Sequence, residues 1–206
     1  MDKEEWANTF IKWLKEVKED SRMPLDEKWD AEIIERNEGI LIKASNPKQP
    51  LDVYVGIAGN FATLYIYPGI ETATLDNSQR LKIYRDLLLL SDNWRMVKYV
   101  LAGDEDEIVI KTDLDLATLG REEFSDALAV TLLALNDLVE KLGLEDKYKE
   151  AQLLHVIEII RRKEEEGVAK EDIVEYLIKT FGVGRDIANE IVNNVLEEKE
   201  DLGYIR

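Results

Sequence analysis

The chain has 206 residues, 45% of them hydrophobic, enough for one ordinary domain and a smaller second one with packed cores. Its 44 acidic against 27 basic side chains give a formal charge of −17, a field that repels nucleic-acid phosphates and anionic membrane surfaces. With no cysteine and a single histidine, His155, the sequence offers no disulfide, thiolate nucleophile or thiolate metal site and no imidazole pair for a metal or proton relay.

Met1 to Asp20 is charged and amphipathic, with neither a signal-peptide apolar core nor a span of about 20 apolar residues, so a cytoplasmic protein is expected. Few glutamines together with abundant Glu and Lys suit a hyperthermophilic source. The first predicted element is a helix over about Lys3 to Glu19, where Trp6, Phe10, Trp13, Leu14 and Val17 fall on one face that must be buried. Past Pro24 the period changes to two. Ile33 to Arg36 and Ile40 to Ala44 flank Asn37-Glu38-Gly39, a hairpin connection whose glycine can take positive φ. The Asn46 to Pro50 stretch is a loop, because both prolines lack a donor and restrict the preceding residue. Leu51 to Ile57 and Phe61 to Tyr67 form two more strands about Ala58-Gly59-Asn60.

Asp76, Asn77 or Ser78 supplies an N-cap for a helix over Gln79 to Ser91, which carries Leu81, Ile83, Tyr84 and the run Leu87 to Leu90. Apolar on more than one side, it reads as sandwiched, either under a second helix or against a partner subunit. Met96 to Leu101 and Glu107 to Lys111 form a hairpin, and a helix from Arg121 to Leu142 holds Phe124, Leu128, Leu132, Leu135, Val139 and Leu142 in one stripe before a C-cap at Gly143.

A change of rhythm over Gly143 to Glu150 marks a short charged linker and gives two domains, residues 1–145 and 150–206. The second reads as three helices: Glu150 to Glu165 with Leu153, Leu154, Ile157 and Ile160 inward; Lys170 to Thr180 with Ile173, Val174, Leu177 and Ile178; and Arg185 to about Glu198 with Ile187, Ile191, Val192 and Val195. Leu202 to Arg206 suits a terminal strand, which completes a winged-helix pattern. The expected fold class is therefore α+β: an antiparallel sheet with packing helices in an α-β-β-β-α-β-β-α-like order, with one extra strand counted, plus a small three-helix winged-helix-like domain.

Two resemblances follow from these residues. Arg95-Met-Val-Lys-Tyr-Val100, Glu107-Ile-Val-Ile-Lys-Thr-Asp113, Leu116 and the Arg121-Glu-Glu-Phe124 helix start make residues 3–142 resemble the YbjN family and the related type III secretion chaperone-like fold. That resemblance implies a sandwich that often dimerises and binds protein segments, and it brings no catalytic motif. Val168-Ala-Lys-Glu-Asp-Ile173 through Gly203-Tyr-Ile-Arg206 looks like archaeal winged-helix tails, including that of the MCM replicative helicase.

Charge weighs against the DNA-binding use that a winged helix invites, since residues 150–206 hold 14 acidic and 8 basic side chains, net −6. The outward face of the third helix still offers Arg185, Asn189, Asn193 and Asn194, types able to bond base edges or a protein, among Glu190, Glu197 and Glu198. Asp104 to Glu107 lacks calcium-loop spacing and reads as a solvated hairpin tip. Asp113 and Asp115 share one side of a strand but lack a basic or nucleophilic companion. Arg161-Arg162-Lys163 is followed at once by three glutamates and reads as self-pairing. Gly182 and Gly184 lack phosphate-loop spacing.

Neither a metal, nor a cofactor, nor a catalytic constellation is expected. The functional expectation is a non-enzymatic, homodimeric protein-interaction or chaperone-like adaptor, with Trp6, Trp13, Tyr65, Tyr67 and Leu88 as candidate partner-binding residues. Packing of the tryptophans onto the chain's own sheet is the competing use of those rings. The alternative function is a DNA-associated transcriptional regulator or replication accessory working through Arg185, Asn189, Asn193 and Asn194.

Overall fold

The structure is a computed structural model that describes residues 1–18, 22–36 and 38–203, without the side chains of 198–203. Residues Met1–Asp146 and Lys147–Arg206 form two separate compact units.

In the first unit, period-two alternation builds β1 (Asp30–Arg36), β2 (Ile40–Ser45), β3 (Val53–Ala58), β4 (Phe61–Ile66), β5 (Val97–Ala102) and β6 (Glu107–Asp115). They form one antiparallel sheet in the order β1-β2-β3-β4-β6-β5. Four strands precede the second helix, so the extra strand counted from the sequence is real. Ile42, Val55, Leu64 and Ile110 all have no or almost no exposure and mark the covered face; alternate residues point the other way.

Helix α1 (Lys3–Lys15) starts with a capping box in which Asp2 accepts from the Glu5 amide and Glu5 accepts from the Asp2 amide. It ends four residues earlier than its apolar stripe suggested, and Val17 is exposed beyond it. Helix α3 (Arg121–Leu142) keeps the expected limits and closes on Gly143 in the left-handed conformation. Both helices lie on the covered face. Phe10 and Phe124 meet there with ring centroids 4.9 Å apart, flanked by Trp6 and Trp13. Beneath α3, the Tyr99 hydroxyl donates to the Ala134 carbonyl at 2.9 Å, and burial pushes this phenol's pKa up.

Helix α2 (Asn77–Asn93) is capped by Asp76, with Gln79 completing the box. It packs against α3 and β5 with Leu87 and Leu90 buried and with the buried Asp86 carboxylate 3.6 Å from Lys141 of α3, and its far side is exposed, so within the first unit the helix is not sandwiched. The 103–106 hairpin tip is also not merely solvated charge: Arg80 pairs with Asp106 at 2.5 Å, and Thr72, with no exposure, bonds the Tyr84 hydroxyl and the Asp106 carbonyl.

Gly39 corrects a second expectation. It does not take positive φ; its missing side chain leaves room for the Ile57 carbonyl oxygen, which a methyl group there would meet at 2.7 Å. The buried Asp26, in a single 3-10 turn (Pro24–Asp26), receives Arg121 at 2.5 Å, while Glu16 lies 3.7 Å from the same guanidinium. These contacts tie the end of α1 and the turn to the start of α3.

The regular elements of the second unit, among its described residues, are all helices: α4 (Glu145–Glu165), α5 (Lys170–Phe181) and α6 (Arg185–Gly203). Helix α4 begins two residues after Gly143 and runs across the division at 146, so the expected charged linker is absent. The unit's core is Ile160, Ile173, Val174, Leu177, Ala188, Val192 and Val195. Leu153, Leu154 and Ile187, expected inward, are exposed, and Ala188 takes the position expected for Ile187. Leu202 and Gly203 continue α6 as helix instead of entering a strand, and Tyr204, Ile205 and Arg206 lie outside the described residues.

Two substitutions test the first unit. Arg121→Ala leaves Asp26 buried without its main counterion and is expected to lower unfolding stability by about 3 kcal/mol in urea titration. Gly39→Ala forces β2 and β3 apart and should cost roughly 1–3 kcal/mol by the same measurement.

Candidate interaction surface

Among the described residues the helices of the first unit pack on one face of the sheet, and the other carries Tyr54, Phe61, Tyr65 and Tyr67. Strand register aligns Lys43, Tyr54, Tyr65, Lys111 and Lys98 in one row across β2, β3, β4, β6 and β5. Tyr67 follows β4 two residues beyond Tyr65. Its ring lies 6.4 Å from Tyr65 at 23° and 5.6 Å from Tyr54 at 83°, a geometry favoured by ring quadrupoles. Gly56 lies under this cluster: a methyl group at that position would be 2.9 Å from the Tyr65 Cε2, so the strand glycine is what lets the ring lean across β3.

A broad open concavity of about 1010 Å³ runs over this face, bounded by Leu41, Gly56, Phe61, Tyr65, Tyr67 and Lys111. Its polar groups are engaged with one another. Asp113 accepts from Thr63 at 2.8 Å and Lys98 at 2.8 Å, and Lys111 lies 3.4 Å away. Partial burial alone would raise the Asp113 pKa, but these hydrogen bonds and ammonium charges outweigh it and hold the carboxyl below its ordinary value. Lys43 pairs with Asp52 at 3.0 Å, a contact that raises its pKa. Lys111 also stands over the Tyr65 ring, 5.8 Å from its centroid. Burial, then the neighbouring Tyr65 and Glu107, raise the Tyr67 pKa, so its hydroxyl stays protonated at neutral pH.

The residues singled out from sequence are dispersed. Tyr65 and Tyr67 share this face. Trp6, at 8% exposure, is taken up by the covered face and is unavailable to a partner; Trp13 is half-buried beside Phe124. Leu88 is exposed on α2. On α6, Arg185 is exposed and ion-paired with Glu175, Asn189 is half-buried, and Asn194 is exposed. Asn193 is half-buried, and its side-chain oxygen is enclosed without a hydrogen-bond partner among the described residues. His155 is half-buried, and its Nε2 likewise has no partner. Asp115 accepts from the Ala117 amide at 2.9 Å, a turn contact, so the Asp113 and Asp115 carboxyls serve separate structural ends.

Sequence reasoning missed Tyr54, Lys111 and Gly56. Tyr54 lies at the alternate position between the inward Val53 and Val55, which places it with Tyr65 once β3 and β4 pair, so strand alternation carried that signal. Among the described residues no group of three or more His, Cys, Asp or Glu is placed to hold a metal ion, and no helix is long and apolar enough to cross a membrane.

Residues 9–142 match the family described as a domain of unknown function, DUF8183, and the chain belongs to that family. The matched stretch falls within the first unit. No curated protein matches the chain. Among solved structures, the crystal structure of YbjN from E. coli, described only provisionally as a transcription regulator, is similar at 15% identity and a TM-score of 0.39, over 58% of this chain and 83% of its own.

The lowered Asp113 pKa fixes the sign of a pH effect. The stability it contributes is complete above the unfolded carboxyl's pKa and is lost as pH falls through the lower folded value. Asp113→Asn should therefore be less stable than the wild type at pH 6, with the difference shrinking below about pH 4, as followed by thermal unfolding across pH.

Proposed function

We propose that this member of the DUF8183 family is a non-enzymatic, homodimeric protein-interaction module, adaptor-like or chaperone-like in use. Its first unit pairs with a second copy through α2 and offers the open sheet face to a protein client, and its second unit recruits a further protein.

The observation that carries this reading is the outer side of α2. Leu81 is 69% exposed, Leu88 73% and Leu89 47%, on a helix whose Leu87 and Leu90 are buried. At about 100° per residue, Leu81, Arg85, Leu88, Leu89 and Asp92 fall within one arc of roughly 100°, opposite the buried side. Leaving Leu88 in water forgoes roughly 2 kcal/mol of transfer free energy, which a partner surface recovers.

The stripe is also self-complementary. Two antiparallel α2 helices related by a twofold axis between Leu88 and Leu89 set leucine on leucine at the centre and Arg85 against the partner's Asp92 on both sides, as an isologous interface requires. Use of α6 on DNA has less support, because the Arg185 guanidinium is held by Glu175 and the Asn193 amide is half-buried.

Light scattering at tens of micromolar protein tests the dimer. The wild type is expected at twice the chain mass and Leu88→Asp at the chain mass. Arg85→Asp should weaken the dimer at least tenfold, and the double variant Arg85→Asp with Asp92→Arg should restore it. A monomeric wild type, or a Leu88→Asp dimer of unchanged strength, would sink the α2 pairing.

A further inference from the structure

The open sheet face combines exposed ring faces with an excess of carboxylates, and that combination selects one kind of client. Its lysines are paired in place, Lys43 with Asp52 and both Lys98 and Lys111 with Asp113, so two carboxylates face three ammonium groups. Further carboxylates stand around the rings: Glu32 and Glu35 in outward register on β1, and Glu107 and Asp115 at the two ends of β6. An anionic ligand would meet that surplus, and the chain's charge of −17 would repel it before contact.

A cation meets the opposite situation. The chain's own Lys111 already occupies the place of one, over the Tyr65 ring at 5.8 Å, while the Tyr67 ring is 40% exposed. Spacing adds a second criterion. Tyr65 and Tyr67, two residues apart in the chain, have ring centroids 6.4 Å apart, close to the roughly 6.6 Å separating alternate side chains of an extended peptide.

We infer that the client of this face is an extended, cationic protein segment, with arginine or lysine at alternate positions laid over Tyr67 and its neighbours and framed by the surrounding carboxylates. This inference rests on reading that face as the client surface. It assigns Tyr67 and Tyr54 as ring contacts and Glu107 as a charge partner.

The test uses the full-length protein and three eight-residue peptides of alternating threonine with arginine, glutamine or glutamate, followed by calorimetry and by amide shifts in β3, β4 and β6. The arginine peptide is expected to bind with shifts confined to those strands, and its affinity should fall as salt rises from about 50 to 300 mM. Tyr67→Ala should lose about tenfold in affinity, and Tyr67→Phe, which keeps the ring and checks the fold, should lose little.

Equal binding of the arginine peptide to Tyr67→Ala would overturn the proposal by showing diffuse adsorption to an acidic surface. Equal binding of the glutamine and arginine peptides with shifts on the face would overturn the cationic specificity while leaving the client surface standing. Failure of all three peptides to shift the face would overturn both. Stronger binding of a ten-nucleotide oligothymidine than of any peptide to the same strands would replace the cationic client with single-stranded nucleic acid.

Discussion

The contact on which the first unit depends is the aromatic join between α1 and α3, where Phe10 and Phe124 meet 4.9 Å apart over the same side of the sheet. An antiparallel sheet of six strands exposes two broad faces, and this join commits both of these helices to one of them. Everything unusual about the other face follows. Because no described element of the first unit packs on it, tyrosines and paired charges can occupy positions that a second helical layer would have claimed for aliphatic packing. Because Gly56 gives up its side chain, the Tyr65 ring can lie flat enough to join Tyr54 and Tyr67 in one cluster.

Two polar clasps hold the periphery. Arg121 reaches Asp26 and Glu16, fastening the turn after α1 to the start of α3; Arg80, Tyr84, Thr72 and Asp106 fasten the hairpin tip and the segment before α2 to α2 itself. Asp106 holds a positive φ of 48°, an unusual backbone state for a residue with a side chain, at the point where its carboxylate receives Arg80. With its inner side fixed by Leu87, Leu90 and this clasp, α2 presents Leu81, Leu88 and Leu89 from a rigid support. Preorganised apolar side chains lose little entropy on association, which is the condition under which a small helical stripe can contribute to dimer formation.

The second unit follows a plainer physical rule. Seven small or branched side chains close its core, and the Lys163 ammonium stands 3.9 Å from the centroid of Tyr176 on the neighbouring helix. Its basic residues are partly spent inside the unit in this way, as the Arg185 and Glu175 pair also shows. That leaves the surface of the unit acidic.

Much of this architecture was legible in the residues themselves because its causes are local. The N-cap of α2, narrowed to Asp76, Asn77 or Ser78, the Gly143 terminus and the α3 limits from Arg121 to Leu142 each depend on groups within one helical turn, and period-two alternation marked all six strands, including the extra one. What the sequence could not decide was which side of an amphipathic element meets a neighbour. The stripe on α4 carried Leu153 and Leu154 as plausibly as Ile160, and only assembly left the first two exposed. The four leucines of α2 are likewise equivalent by composition, yet packing against α3 and β5 buried Leu87 and Leu90 and left Leu88 outside. Gly39 was visible as a turn residue, but its reason, the approach of the Ile57 oxygen, lies on a strand 18 positions away. The sequence by itself determined the elements, since helix caps and alternation act over a few residues. The tertiary structure alone decided the open face and its tyrosine cluster, because both arise from strand register and from the one-sided docking of two helices that no local pattern encodes.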